Sequence, residues 1–532
     1  MPETATQPIT ETARSFAGQL SQNILASLAR VFVVAAVALI LPAFLTHHLP
    51  VTTYAAWVLI IQLAAYVSYL DLGIQTGVSK FVAEFDARGD ISGAGRHASA
   101  GLALMFFAGA LGLLLTCGLA WQVPRLFRAM PSNLYHDVRV SVLLVGSSLS
   151  FGLVCAVYSA VFLGLQRYWI PVSITMINRV SYAAIVVAIV ALRGSLEAMG
   201  IAVAAVNVLT GLLQVLAWKK RASHIRVSLQ AAESQVLRNV TRFCSLQSVW
   251  MVAMLCIAGL DVTIVGHYDY VQTAYYSVAT LPVAFVLMIM SAMLNPLMPA
   301  SSALSTHRSP AQMGELVARI TRYSTLILLL TGLPLIVFGY PILRLWVGEQ
   351  YALHTLPYLR ILVAANIIRN LCAPYATMIV ATDRQSAAIA AAVSEAVVNL
   401  GSSIYLAARF GAIGVALGTA IGAFVSVGLH FGVTMRLTQR TLAISRSQLL
   451  GKGMLGPAII AIPSLVIFPL CWSPAEAMRT PIMLAWCFTT FFFGWYGGLT
   501  ARDRSDAIRV LRNRFLDPST FLGTTNTSRR TT

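Results

Sequence analysis

Charge is what this chain has least of: Asp, Glu, Lys and Arg make up 11% of its 532 residues, hydrophobic residues 58%, and the mean hydropathy is +0.75. A soluble protein of this length exposes too much surface to be covered by so few charges. Repeated apolar runs of about 20 residues mark a polytopic helical membrane protein instead. Cysteine is scarce too. Cys117, Cys155, Cys244, Cys256, Cys372, Cys471 and Cys487 are scattered without metal-ligand spacing, and most sit in apolar runs as small buried hydrophobes. There is no Walker motif, acid pair or Ser–His arrangement whose spacing proposes chemistry, so no enzyme activity, metal site or cofactor is expected. The histidines are dispersed, with His47, His48 and His267 in outer loops. The polar start from Met1 to Gln22 has no cleavage pattern close behind the first apolar run, so no signal peptide is expected.

What is present is a series of fourteen apolar spans: 24–45, 52–76, 98–120, 138–163, 169–191, 198–218, 243–265, 273–295, 321–343, 357–380, 386–407, 412–433, 451–471 and 478–498. Short polar turns at Gly164–Arg167 and Thr382–Arg384 divide stretches otherwise long enough for two crossings. With a cytoplasmic N-terminus, and residues at span ends counted with the side they adjoin, 26 Lys and Arg residues fall on the cytoplasmic side, 8 on the other and 3 within spans. The positive-inside rule therefore sets both termini in the cytoplasm. The net charge of +18 reads as topology, and the basic tail as a contact with anionic lipid, with no nucleic-acid partner. Tryptophans such as Trp57, Trp121, Trp169, Trp218 and Trp346 lie near expected span ends and read as interface anchors.

The chain also repeats. Ala198–Met199–Gly200–Ile201–Ala202–Val203 recurs in pattern as Ala412–Ile413–Gly414–Val415–Ala416–Leu417, 214 residues later, each copy opening the sixth span of its half. Six spans is an even number, so the halves enter from the same side as parallel repeats. The expected organisation is a cytoplasmic segment 1–23, a six-helix lobe 24–218, a basic linker 219–242, a second six-helix lobe 243–433, a loop 434–450, two accessory spans 451–498 and a basic tail 499–532.

Charges inside spans are few and therefore informative. Arg30, Arg179 and Arg369 are candidates for a cationic cavity that receives a diphosphate, with Asn178 beside them; the alternatives are intramembrane ion pairs or snorkelling. Glu395 ranks first and Asp261 second as ion-coupling acids, since a carboxyl in low dielectric holds its proton more readily unless paired. Asp71, Gly73, Lys80 and Glu84 belong to the stretch Tyr54–Asp90, where an apolar span meets an acid and two glycines and then a mixed-charge inner loop. They read as a hinge or gate. Gly414, Gly418 and Gly422 stand four apart and read as a close-packing helix face.

The run Leu70-Asp71-Leu72-Gly73-Ile74-Gln75-Thr76-Gly77-Val78-Ser79-Lys80-Phe81-Val82-Ala83-Glu84, together with Gly411–Thr419, resembles the bacterial O-antigen and exopolysaccharide repeat-unit flippases. Their superfamily also holds the multidrug and toxin extrusion (MATE) transporters and the lipid II flippase. The resemblance implies an all-α membrane fold of two six-helix lobes in a V-shaped MATE-like arrangement, with two additional C-terminal helices. It implies a bacterial inner-membrane protein that moves undecaprenyl-diphosphate-linked oligosaccharide repeat units between leaflets. A proton or sodium gradient would drive the step, membrane lipids would surround it, and a polysaccharide polymerase with other export components would act downstream. The readings weighed against this are an ion-coupled drug or metabolite antiporter and a lipid II flippase. A membrane polymerase or ligase is disfavoured, because the longest outer loop, Trp121 to Asp137, is too short to host much chemistry.

Overall fold

Inside a bilayer no water is available to satisfy backbone N–H and C=O groups, so an apolar run of this length has only the helix open to it. The computed structural model describes residues 29–295, 297, 309–382, 384–468 and 476–516. Among these, 13 helical stretches are long and apolar enough to cross a membrane. They correspond to the first thirteen expected spans. The fourteenth expected span is helical over Glu476–Phe493 and continues as a π-turn over Gly494–Gly498. The protein is an all-α, multi-pass membrane protein.

The first half comprises α1 (Ala29–His48), α2 (Val51–Ala65), α3 (Ile74–Ala87), α4 (Ile91–Leu126), α5 (Tyr135–Gly164), α6 (Trp169–Ala191) and α7 (Leu196–Arg221). The second comprises α8 (Ser234–Met254), α9 (Asp261–Tyr268), α10 (Gln272–Leu294), α11 (Pro310–Val337), α12 (Gly339–Val347), α13 (Glu349–Asn370), α14 (Ala373–Ala381), α15 (Gln385–Phe410) and α16 (Ala412–Leu429). After α16 the chain passes through a π-turn at His430–Thr434 and short helical pieces between residues 435 and 467. It then reaches α17 (Glu476–Phe493) and α18 (Ala501–Leu516).

Several helices run past their apolar spans because polar caps extend them beyond the hydrocarbon. Asp90 accepts the Gly93 N–H at 2.7 Å to start α4 seven residues before its apolar span, and Ser195 caps α7 through the Ala198 N–H at 3.1 Å. Within the expected linker 219–242, α7 continues to Arg221 and α8 begins at Ser234. The turn after α5 is as expected, with Gln166 in the left-handed region at φ 59°. Asp383 of the second turn, the expected segment 1–23, Cys471 and the tail beyond 516 lie outside the described residues.

The chain divides into two compact units. Among the described residues, one holds 29–285, 339–366 and 389–426; the other holds those within 286–338, 367–388 and 427–516. In the first, α3, α4, α5 and α8 share a core built on Val78, Met105, Val157 and Val240. The apolar side chains left outside are large: Phe107 and Leu114 on α4 are each 71% exposed. In water such residues would be a liability; against lipid tails they are the correct surface. In the second unit, Met313, Val317, Tyr375, Met378 and Leu449 form one cluster, and Val286, Met290, Ile320 and Leu328 another.

Two helix contacts follow directly from glycine. A Cβ on Gly414 would lie 2.2 Å from the Leu406 carbonyl oxygen, and one on Gly418 would lie 2.3 Å from Ser403 Oγ. The four-residue spacing thus lets α16 lie directly on α15, backbone against backbone. In the first half Gly200 of α7 instead meets Ser141 of α5, where an added Cβ would lie 2.5 Å from the Ser141 Oγ.

Candidate functional site

The first unit contains a polar cluster within the membrane, organised around a break in a helix. Between α8 and α9 the chain makes a π-turn over Leu255–Gly259, and Asp261 opens the helix that follows. Asp261 is only 6% exposed. Its Oδ2 accepts hydrogen bonds from the Tyr276 hydroxyl of α10 at 3.3 Å and from the Thr419 hydroxyl of α16 at 3.2 Å. The Val415 carbonyl, 3.2 Å from the Thr419 hydroxyl, is the alternative acceptor for its one proton, and Ser403 of α15 reaches the same oxygen at 3.4 Å. Asn399, one turn after Glu395, donates to the Ile257 carbonyl in the π-turn at 3.2 Å.

The other side of the break is held by α2 and the turn after it. Gln62 donates to the Gly259 carbonyl at 2.6 Å, and the Tyr66 and Thr263 hydroxyls share a short hydrogen bond. A π-turn misaligns backbone groups that α-helical pairing would satisfy, and such turns recur at functional positions. Here the Gly259 and Ile257 carbonyls are met by side chains from two other helices. A buried carboxylate met by two hydroxyls can hold a proton or a small monovalent cation. Glu395, the other acid expected to couple, is 4% exposed on α15. The sequence pointed to Asp261 but not to its partners: Tyr276 and Thr419 are ordinary hydroxyl residues in apolar helices, with no spacing that marks them.

Arg179 occupies an unusual position on α6. Val172, Val186 and Val190 lie on its helix face, at spacings of seven, seven and four, and all three are buried. Arg179 is nevertheless exposed. The lipid-facing side of α6, carrying Ile177, Val180 and Ile185, is a different one. Arg179 is therefore exposed on a face of its helix that otherwise packs inward. One turn on stands Tyr182, whose phenol lies beside Trp57. Trp57 is thus no interface anchor: it is 3% exposed.

Arg30 shows a related pattern at the start of α1, exposed in line with half-buried Val34 and Val37 and buried Leu41 and Leu45. Asn178 points elsewhere. Its amide donates to Thr210 at 2.8 Å and to Asn207 at 3.4 Å, and Asn207 in turn donates to Ser148 at 3.1 Å. That chain ties α5, α6 and α7 together. Arg369 lies half-buried near the end of α13, in the second unit.

The Leu70–Gly73 stretch forms a tight joint. The expected single span breaks into a 3-10 turn over Tyr66–Asp71, with Leu72 at φ 48° and Gly73 at φ 80°. Asp71 Oδ1 accepts the Gln75 N–H at 3.2 Å and caps the start of α3. Gly73 is required twice, for its left-handed backbone and because a Cβ would lie 2.3 Å from Gln247 Cγ. Ser248 Oγ donates to the Leu72 carbonyl at 3.2 Å, and Lys80 Nζ sits 4.2 Å from the centre of the Phe243 ring. These contacts bring α3 of the first sequence half against α8 of the second. The mixed-charge segment expected to be a loop is helical as far as Ala87. Glu84 pairs with Arg88 at 2.7 Å, one turn along the same helix.

No protein-family model and no curated protein matches the sequence. Solved structures do. The lipid II flippase MurJ in an inward closed conformation aligns with a TM-score of 0.69, over 88% of this chain and 98% of its own, at 14% identity. An inward-facing multidrug resistance MATE family transporter aligns at 0.62, covering 77% of this chain and 95% of its own, at 15% identity. A point mutant of the Vibrio cholerae MATE transporter VcmN aligns at 0.57, covering 80% and 98%, at 15% identity. The fold is MATE-like. At this identity the likeness concerns architecture: two helical bundles of long apolar helices. Within that MATE-like fold, the Asp261 cluster and the joint at Gly73 both join helices of the two sequence halves.

Proposed function

We propose that this protein is a flippase for lipid-linked sugars in the bacterial inner membrane, and that its cargo is a polyprenyl-diphosphate-linked oligosaccharide. The observation that carries the reading is Arg179. A permanently charged guanidinium, exposed on an otherwise inward-packing helix face, is costly unless an anion visits it. A fork of donors fits a diphosphate. Arg30 is the second cation of the same kind; Arg369 is a third, assigned from the sequence alone. The protein would shelter the sugar and diphosphate while the polyprenyl tail stays in lipid, making and breaking no covalent bond.

Coupling is assigned to Asp261, with Glu395 as the neighbouring acid on α15. Loading a proton or sodium ion there would tighten the contacts among α9, α10 and α16 that meet at its carboxylate. Asp71, Gly73, Lys80 and Glu84 are assigned to the joint that opens and closes one end. The MATE-like fold also supports two further cargoes: lipid II, which carries the same diphosphate, and a cationic drug exchanged for ions. A polymerase acting after the flip belongs to the repeat-unit reading.

Proteoliposomes that carry defined cargoes separate these. The reading expects the fluorescent polyprenyl-diphosphate oligosaccharide to change leaflets in protein-containing vesicles and not in empty ones. Movement of lipid II alone would assign the second cargo. Export of a cationic dye with no movement of either lipid would overturn the proposal.

A further inference from the structure

The C-terminal helix α18 is fastened to the second unit by a buried set of charges that no transport step described above uses. Asp503, whose side chain is 2% exposed, lies between two arginines of α11. Arg319 Nε approaches Asp503 Oδ1 at 3.1 Å, and Arg322 Nη1 donates to Oδ2 in a short contact. Tyr323 donates to Oδ1 at 2.7 Å and Thr500 to Oδ2 at 2.5 Å. Asp506, the only other acid of the helix, takes Arg319 Nη2 at 2.6 Å. Arg504 is turned back as well, donating to the Trp495 and Tyr496 carbonyls at 3.2 and 3.1 Å. Asp503 is thus enclosed, and Asp506, whose side chain is 40% exposed, is engaged by Arg319.

Among the described side chains, the exposed positions of α18 hold two cations, the apolar Ile508 and the small residues Ala501 and Ser505. Arg502 and Arg509 are exposed and make no ion pair among the described residues; Ile508 between them is 54% exposed. The sequence continues with Arg512 and Arg514. The helix also follows directly on the fourteenth expected span. Phe491 stacks on Trp495 and Phe492 packs on Tyr496, which is 61% exposed, a pairing of rings typical of the headgroup level. Gly498 ends that helix and Ala501 begins α18.

We propose that the outer face of α18 is a docking surface for anionic phospholipid headgroups of the leaflet it borders, with Arg502 and Arg509 taking the phosphates and Ile508 dipping toward the acyl chains. Charge complementarity selects the occupant: both acids of the helix are engaged by arginines of α11, which leaves Arg502 and Arg509 free of ion pairs among the described residues, beside a membrane surface where anionic lipid concentrates. The clamp at Asp503 supplies the orientation, since an unclamped helix would pair its acids and bases with one another.

The test uses the full chain in nanodiscs, with a fluorophore on Ile508→Cys in a background without the other cysteines. Quenching is measured by brominated phosphatidylglycerol and, separately, by brominated phosphatidylcholine. Phosphatidylglycerol is expected to quench more strongly, by about five-fold per engaged arginine in local enrichment. The preference should vanish in R502Q/R509Q and survive in R502K/R509K, with thermal unfolding unchanged in both. Equal quenching by the two lipids, or a preference that persists in R502Q/R509Q, would overturn the proposal. The readout is independent of cargo movement.

Discussion

At the scale of single residues, burial decides which charged and polar groups are free to act. Asp261 is held by hydroxyls on two other helices, a setting that accepts Asn with little change of shape. Asp261→Asn is therefore expected to leave abundance and thermal unfolding near those of the parent while cargo movement stops responding to an imposed ion gradient. Gradient-jump experiments on proteoliposomes read this; an unaltered response would move the coupling to Glu395. Asn178 belongs to a hydrogen-bonded chain, so Asn178→Ala should cost about 1 kcal/mol of stability and leave the affinity for cargo as it is. Asp503 behaves differently again. Burial alone would raise its carboxyl pKa, but Thr500, Tyr323 and Arg322 hold it well below the ordinary 3.8. Because the folded value is depressed, the stabilisation is present above the unfolded value and is lost as pH falls through the folded one. Stability should not vary with this group from about pH 8 to 5, and its contribution should fall away only in acid below the ordinary carboxyl range. Asp503→Ala strands Arg322, whose side chain is 10% exposed, and should cost about 3–5 kcal/mol in thermal or denaturant unfolding.

At the scale of elements, close approach explains the helices better than hydrophobicity does. Gly414 touches the backbone of α15, whereas nothing lies within 4 Å of a Cβ added at Gly401 on α15 itself. Gly414→Ala should destabilise by about 1–3 kcal/mol, and Gly401→Ala should be neutral or stabilising by up to about 1 kcal/mol. Unfolding midpoints of the two variants check this, and equal effects would refute the packing account. Elements were also where sequence reasoning reached furthest. Thirteen spans were legible because hydrocarbon thickness imposes their length, and the Gly414 ladder because small residues four apart have one obvious use. The π-turn before Asp261 was not legible, since no residue type marks it. The partners of Asp261 were hidden for a related reason: Thr419 lies 158 residues away, and a lone threonine in an apolar helix carries no signal of what it faces. The arginines could be found from the sequence, but only the buried valines around Arg179 show which side of α6 it occupies. Asn178, its neighbour, faces another way because consecutive helical residues diverge by about 100°.

At the scale of the whole molecule, the account requires the two sequence halves to part and rejoin. Their contact at the Leu70–Gly73 joint offers a direct handle. A Cβ added at Gly77 would stand 3.0 Å from the sulfur of Cys244, close to disulfide geometry. Gly77→Cys should form a bridge to the native Cys244 under oxidation, arrest cargo movement, and recover on reduction. Free movement with the bridge intact would mean that this joint does not open during transport. The central claim is that a cationic, inward-facing Arg179 receives the diphosphate of a lipid-linked sugar. It is tested most directly by the rate at which a polyprenyl-diphosphate oligosaccharide changes leaflets in proteoliposomes bearing the parent chain, Arg179→Lys or Arg179→Ala. Loss of a charge-assisted bond of about 1.5–3 kcal/mol predicts a fall of roughly ten- to a hundred-fold for Arg179→Ala, with Arg179→Lys between it and the parent. Equal rates for all three proteins, at equal abundance in the membrane, would contradict the account.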